Sequence, residues 1–418
     1  MFASPQIPEP SNRVARFERL GYGLFIHWGL YSQLGQGEWI QHHKGISVSD
    51  YEKLAGNFTA ADFDARAFAR LARESGMRYI TLTTRHHDGF SLYDTRGLST
   101  FDSPHSPAGR DIVAEFVEAC RAEDIVPFLY HTTLDWRWGS ANCSESKFDD
   151  YLDYLHASVE VLCRNYGEIG GFWFDGNWSR EHADWKEDRL FEIIRRFQPE
   201  AMIINNTGLD AQGAKGHPEI DSTTFEQGLP IAPDRRGWSK YVAGEMCETM
   251  NSHWGIGARD YNFKSPAAII QHLCACRRVG ANYLLNIGPT ATGGIPAYEA
   301  AALRIVGKWI ESHGDLIYDA RPFDARCEGK DFVLHDEGRF FYFAHDLGRR
   351  GDAHVVKHGN SNASRIIDYL PVGIQSVRWL DDCTPGIFSQ SSDGKVTLNC
   401  EGYDYGIDMV VRVAELTA

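Results

Sequence analysis

The chain of 418 residues carries a formal net charge of −15 and 43% apolar residues. This suits one large and one small globular domain and sets aside nucleic-acid binding through a basic surface. No window approaches the ~18 continuous apolar residues of a membrane span, and the opening MFASPQIPEP lacks the basic and apolar regions of a secretory leader. The nine cysteines are odd in number and scattered, which reads as reduced thiols and a cytoplasmic location.

Along the chain, short apolar runs alternate with segments of helical period. Runs at 23–28, 79–83, 126–130, 171–175, 202–205, 222–226, 244–249 and 283–287 are predicted strands. Several are continuous rather than alternating, as strands buried on both faces are. Helices fit between most of them, at 63–74, 111–122, 147–165, 184–197 and 266–279, with a last at 296–312. Pro266 and Pro296 suit a first helical turn. Between 205 and 222, and again between 226 and 244, helical pattern is weak, so loops are expected in place of helices. Eight strands with intervening helices predict an irregular (β/α)8 TIM-like barrel over residues 1–321. After Asp319-Ala320-Arg321-Pro322 the period changes to short strand-like runs at 332–334, 340–344, 376–379, 395–398 and 409–413. Residues 322–418 are predicted to form a small C-terminal antiparallel β-sandwich.

In a barrel of this kind the active site lies at the C-terminal ends of the strands. The predicted strands end in His27-Trp28, Arg85-His86-His87-Asp88, Tyr130-His131, Asp175-Gly176 and Glu226, the seventh carries Glu245, and the eighth ends in Asn286. Two carboxylates facing one cavity are what glycoside hydrolysis needs: one attacks the anomeric carbon, the other protonates the leaving oxygen. Asp175 and Glu226 are the expected pair. The plainer readings are a carboxylate capping the turn at Gly176 and a loop carboxylate in a surface ion pair. Convergence of His27, His86, His87 and His131 favours contact with sugar hydroxyls, since a neutral imidazole both donates and accepts. A metal site is the alternative, although HxH and HExxH spacings are absent. Trp28, Trp39, Trp173 and Trp254 lie in or near the same loops, where indole rings can cover the apolar face of a deoxy sugar. Core packing is the competing explanation.

At these motifs the sequence resembles family 29 of the glycoside hydrolases, the α-L-fucosidases. The matching segments are Phe25-Ile26-His27-Trp28-Gly29, Gly37-Glu38-Trp39, Arg85-His86-His87-Asp88-Gly89-Phe90, Phe172-Trp173-Phe174-Asp175-Gly176 and Asn286-Ile287-Gly288-Pro289-Thr290. The resemblance implies a retaining double displacement on terminal α-L-fucosyl linkages of fucosylated oligosaccharides, without metal or cofactor. It implies Asp175 as nucleophile and His27, Glu38, Trp39, His86 and His87 as fucose-binding residues. His131 stands where many members have tyrosine after the third strand. For the acid/base, Glu226 resembles the glutamate before the loop to the seventh strand. Glu245, preceded by Gly244 rather than the usual tryptophan, is the alternative. Trp173, Trp254 and Arg236, which lies beside Arg235 between the two glutamates, complete the expected substrate contacts. A sugar hydroxyl in place of water would make the same intermediate transfer fucose. The rival expectations are a metal-dependent barrel hydrolase and a catalytically silent fucose-binding protein. No partner beyond the glycan is expected, and a homo-oligomer is compatible with the sequence.

Overall fold

The structure, a computed structural model, describes residues 7–350, 354 and 362–418. The chain divides into two units. The first runs to Lys264 and resumes at Ala281–Arg304; the second takes Ser265–Gly280 and runs from Ile305 to Ala418.

The first unit is built on eight strands: β1 (Tyr22–Ile26), β2 (Tyr79–Arg85), β3 (Val126–Thr132), β4 (Gly171–Asp175), β5 (Met202–Asn205), β6 (Ser222–Glu226), β7 (Ala243–Thr249) and β8 (Asn282–Ile287). They close into a barrel in chain order, every neighbouring pair parallel. Strands β1, β2 and β7 are buried at every position, which explains the continuous apolar run of β1, while β2 and β7 also bury Arg85, Glu245 and Glu248. Side chains fill the barrel interior, among them Phe25, Tyr79, Phe128, Tyr130, Trp173, Ile204 and Leu284. Gly23 makes room there, since a Cβ on it would stand 2.4 Å from the Tyr79 ring.

A helix that periodicity did not reveal, Asn12–Glu18, precedes β1. Its Phe17 ring packs on Tyr79 and Phe128 at 5.8 and 5.7 Å, closing the N-terminal end of the barrel. The open end is therefore the one where β-strands finish. Outer helices Ala65–Glu74, Ile112–Ala122 and Glu145–Asn165 begin where the side chains of Asp64, Asp111 and Ser144 accept backbone N–H groups of the first turn, satisfying donors that a helix start leaves orphaned. No helix follows β5 or β6 among the described residues, and the β5–β6 ladder is reduced to the pair Ile204–Ser222. This is the irregularity expected from the weak helical pattern.

The second unit contains the helix Pro266–Arg278 and two antiparallel sheets. The larger has the order β13 (Ser376–Trp379), β16 (Val411–Thr417), β11 (Arg339–His345), β10 (Phe332–Asp336), β9 (Arg321–Pro322). The smaller is β12 (Asn362–Ile367), β15 (Val396–Glu401), β14 (Phe388–Gln390). Val333, Tyr342, Trp379, Val396, Leu398 and Leu416 meet in one core, as inner faces of a sandwich do.

Candidate active site

Asp175 ends β4, with its side chain 13% exposed at the open end of the barrel. Gly176 follows with φ +118°, and a Cβ there would stand 2.5 Å from the Leu134 backbone nitrogen. Glycine thus lets the chain turn sharply away directly after the carboxylate. Three donors hold Asp175. The Tyr130 hydroxyl reaches Oδ2 at 2.9 Å, and the Trp178 indole and the Asn206 amide reach Oδ1 at 2.9 and 3.2 Å. His87 Nε2 lies 3.5 Å from Oδ2, too long for a good hydrogen bond.

Glu226 ends β6, half-buried. The Asn206 amide nitrogen that touches Asp175 also donates to Glu226 Oε2 at 2.7 Å. The two contacts bound the separation of those carboxylate oxygens at about 6 Å. That is compatible with the ~5–5.5 Å separation of a retaining pair. Burial, and next the Asp175 charge, push the Glu226 carboxyl up to about 7, against the lowering bonds from Asn206 and Trp254. A protonated acid beside an ionised carboxylate is the division of labour that general acid catalysis needs.

The remaining wall is aromatic. His27 packs edge-on to His86 at 5.6 Å and tilted against Trp254 at 5.0 Å. His86 stacks on Tyr130 at 5.5 Å and touches His87. Burial lowers His27 to about 3 and His87 to about 4, and holds His86 well below the usual imidazole range. All three are neutral at ordinary pH. Asn286 clamps one side of the site: its Oδ1 meets His27 Nδ1 at 2.7 Å and its amide donates to the Trp254 carbonyl. Glu38 is buried, its Oε2 accepting the backbone N–H groups of Trp254 and Gly255 at 3.1 and 2.9 Å. Trp39 contacts His87, Trp136 and Trp178. The structure thus brings Asp175, Glu226, His27, Glu38, Trp39, His86, His87 and Trp254 to one place.

Four expected residues fall elsewhere. His131 is fully buried and points out of the barrel, its ring nitrogens bonded to Thr84 Oγ1 and Ser158 Oγ at 2.9 and 3.0 Å. Its neighbour Tyr130 faces the site instead, because successive strand residues face opposite ways. Arg236 is exposed and paired with Asp234 in its own loop, away from the carboxylates. Glu245 is fully buried; it accepts from the Tyr79 hydroxyl and the Trp173 indole at 2.6 and 2.8 Å. Across the β6–β7 ladder it pairs with Thr224, two residues below Glu226, so it lies in the barrel interior rather than at the mouth. Trp173 packs beside it in the interior cluster and is core. Among the described residues no group of three or more His, Cys, Asp or Glu is arranged to hold a metal ion.

Tyr130, Trp178 and Asn206 were not read from the sequence. Asn206 follows β5 directly, and Trp178 stands three residues after Asp175, so the strand-end rule that found Glu226 reaches both.

A closed parallel barrel with a close carboxyl pair at its C-terminal mouth, walled by neutral imidazoles and indoles, defines a glycoside hydrolase. Residues 9–315 match the family model described as alpha-L-fucosidase, and the chain belongs to that family, glycoside hydrolase family 29. It is 27% identical over 343 residues to the human tissue alpha-L-fucosidase, covering 75% of this chain and 71% of that one. The mouse enzyme is 26% identical, covering 76% and 74%. The solved structure of alpha-L-fucosidase isoenzyme 1 from Paenibacillus thiaminolyticus is 30% identical, with a TM-score of 0.82 over 97% of this chain and 98% of that one. An alpha-L-fucosidase from Bacteroides thetaiotaomicron shares the fold at 20% identity, with a TM-score of 0.84 over 99% and 96% of the chains.

Proposed function

We propose that this enzyme is a retaining, exo-acting α-L-fucosidase that removes terminal fucose from fucosylated oligosaccharides. The observation that carries the retaining course is the bridge from one amide nitrogen to both Asp175 and Glu226. Asp175 attacks the anomeric carbon while Glu226 gives its proton to the departing oxygen, and a fucosyl ester forms on Asp175. Glu226, now a carboxylate, takes a proton from water as that water attacks the anomeric carbon, and fucose leaves with its configuration kept. A sugar hydroxyl entering in place of water transfers fucose.

Neutral His27 has Nδ1 committed to the Asn286 carbonyl oxygen, so it donates there and turns Nε2 outward as an acceptor for a sugar hydroxyl. Glu38, with one oxygen held by two amides, offers the other to a second hydroxyl. The indoles of Trp39 and Trp254 provide apolar cover for the deoxy-sugar face. Short imported glycans and a cytoplasmic location suit a chain with free cysteines.

The test is hydrolysis of 4-nitrophenyl α-L-fucoside by wild type and Asp175→Ala, with azide as an external nucleophile. Wild-type turnover, a dead variant and azide rescue giving fucosyl azide of inverted configuration are expected. An Asp175→Ala enzyme that still hydrolyses the substrate would overturn the assignment.

A further inference from the structure

We infer that Asn206 is the positioning residue of the carboxyl pair: its amide fixes which oxygen of Glu226 carries the proton and holds both carboxylates in register through the two half-reactions. This rests on the roles proposed for Asp175 and Glu226.

The orientation of the amide is determined by its surroundings. Asn206 is buried, and its backbone N–H is tied to the Phe174 carbonyl at 2.8 Å. Its Oδ1 accepts from Thr224 Oγ1 and from the Gly208 N–H, both at 3.2 Å. A flipped amide would set its NH2 against the Gly208 N–H and its carbonyl against two carboxyl groups, so the nitrogen must face Asp175 and Glu226. An amide nitrogen carries two hydrogens, one for each carboxyl, and does not titrate.

Two consequences follow. Oε2 of Glu226 accepts from Asn206, which disfavours the proton there and leaves Oε1 to present it to the leaving group, the Trp254 side chain being a further partner of the same carboxyl. During the first step negative charge leaves Asp175 and arrives on Glu226, and in the second step it returns. A donor shared by both serves whichever is anionic without reorganisation, the advantage of a preorganised dipole.

Asn206→Ala, Thr224→Val, Asp175→Ala and wild type would be compared on 2,4-dinitrophenyl α-L-fucoside, which needs no protonation, and on phenyl α-L-fucoside, which does. For Asn206→Ala, kcat/KM on the phenyl substrate is expected to fall about 100-fold, with a clearly smaller loss on the dinitrophenyl substrate and a displaced alkaline limb of the pH profile. Thr224→Val removes one of the two donors that orient the amide, the Gly208 N–H remaining, so it should move both readouts the same way and by less, about tenfold at most. Equal losses on both substrates with an unmoved pH profile in Asn206→Ala would overturn the inference. Should that variant not fold, Asn206→Asp, which keeps the shape and removes the amide donor, is compared instead, and wild-type leaving-group dependence with an unmoved pH profile there overturns the inference. An inactive wild type or an active Asp175→Ala would instead overturn the catalytic reading itself.

Discussion

The hydroxyl of Tyr130 stands 2.9 Å from Oδ2 of Asp175, and the ring that carries it is stacked between His86 and Trp173, with centroids at 5.5 and 5.7 Å. The stacking holds the ring wherever the hydroxyl points, so donor and scaffold can be separated by one substitution. Burial raises the phenol well above its ordinary range, so it remains a donor at any working pH. Tyr130→Phe should keep the fold and lower kcat about 10- to 100-fold, since a hydrogen bond to a charged group contributes about 1.5–3 kcal/mol. Steady-state kinetics with a thermal melt checks this; unchanged kcat would remove Tyr130 from the site.

Glu226 and Glu245 make opposite predictions. Glu245 is enclosed by Tyr79 and Trp173 with no exposed surface, whereas Glu226 lies at the mouth beside Asp175. Glu226→Ala should lose roughly 10²–10⁴-fold on substrates with poor leaving groups, retain more on dinitrophenyl fucoside, and be accelerated by azide there. Glu245→Gln, which keeps one acceptor oxygen for its two donors, should leave the leaving-group dependence unchanged and lower the unfolding temperature only. Azide acceleration in Glu245→Gln rather than Glu226→Ala would reverse the assignment.

His131 is expected to matter for stability and not for sugar binding. Its two ring nitrogens join Thr84 on β2 to Ser158 on the helix Glu145–Asn165. His131→Ala opens a cavity and leaves buried hydroxyls short of partners, at a cost of about 2–4 kcal/mol. KM for the aryl fucoside should stay within about twofold, far less than the change expected for His87→Ala, because uniform binding lost at a substrate contact appears in KM. Urea melts and Michaelis constants for both variants test the contrast.

The barrel was legible because strands buried on both faces leave continuous apolar runs, and all eight lie within a few residues of their expected places. That same continuity hid which residues face inward. In Val126-Pro127-Phe128-Leu129-Tyr130-His131 no polar alternation marks a face, so the sequence points to the strand-end His131 and not to Tyr130, which the structure turns to the site. The second unit was read less completely. Strands β12 and β14 flank β15 in a three-stranded sheet and mix polar with apolar residues as edges do, while β9 is only Arg321–Pro322. Arg236 was misplaced because the segment after Glu226 has no period from which a side-chain direction could be drawn.

The last prediction concerns charge. Glu226 is pushed up to about 7 first by burial and then by the Asp175 carboxylate. An acid catalyst must be protonated, so kcat/KM on poor leaving groups should fall as pH rises through about 7 and stay level just below it. Once Asp175 is esterified its charge is gone, and one of the three raising influences goes with it, burial and the Glu38 charge remaining. The carboxyl should then titrate lower, becoming an ionised base at the pH where it had been an acid. Trapping the enzyme with a 2-fluoro-fucosyl donor and following Glu226 by difference infrared spectroscopy against Glu226→Gln measures this directly. A midpoint that falls below that of the free enzyme ties the acid-to-base switch to the fate of Asp175. A midpoint that does not move would assign the elevation to burial and the Glu38 charge, and the deprotonation needed for the second step would have to come from transfer of the proton to the leaving oxygen alone.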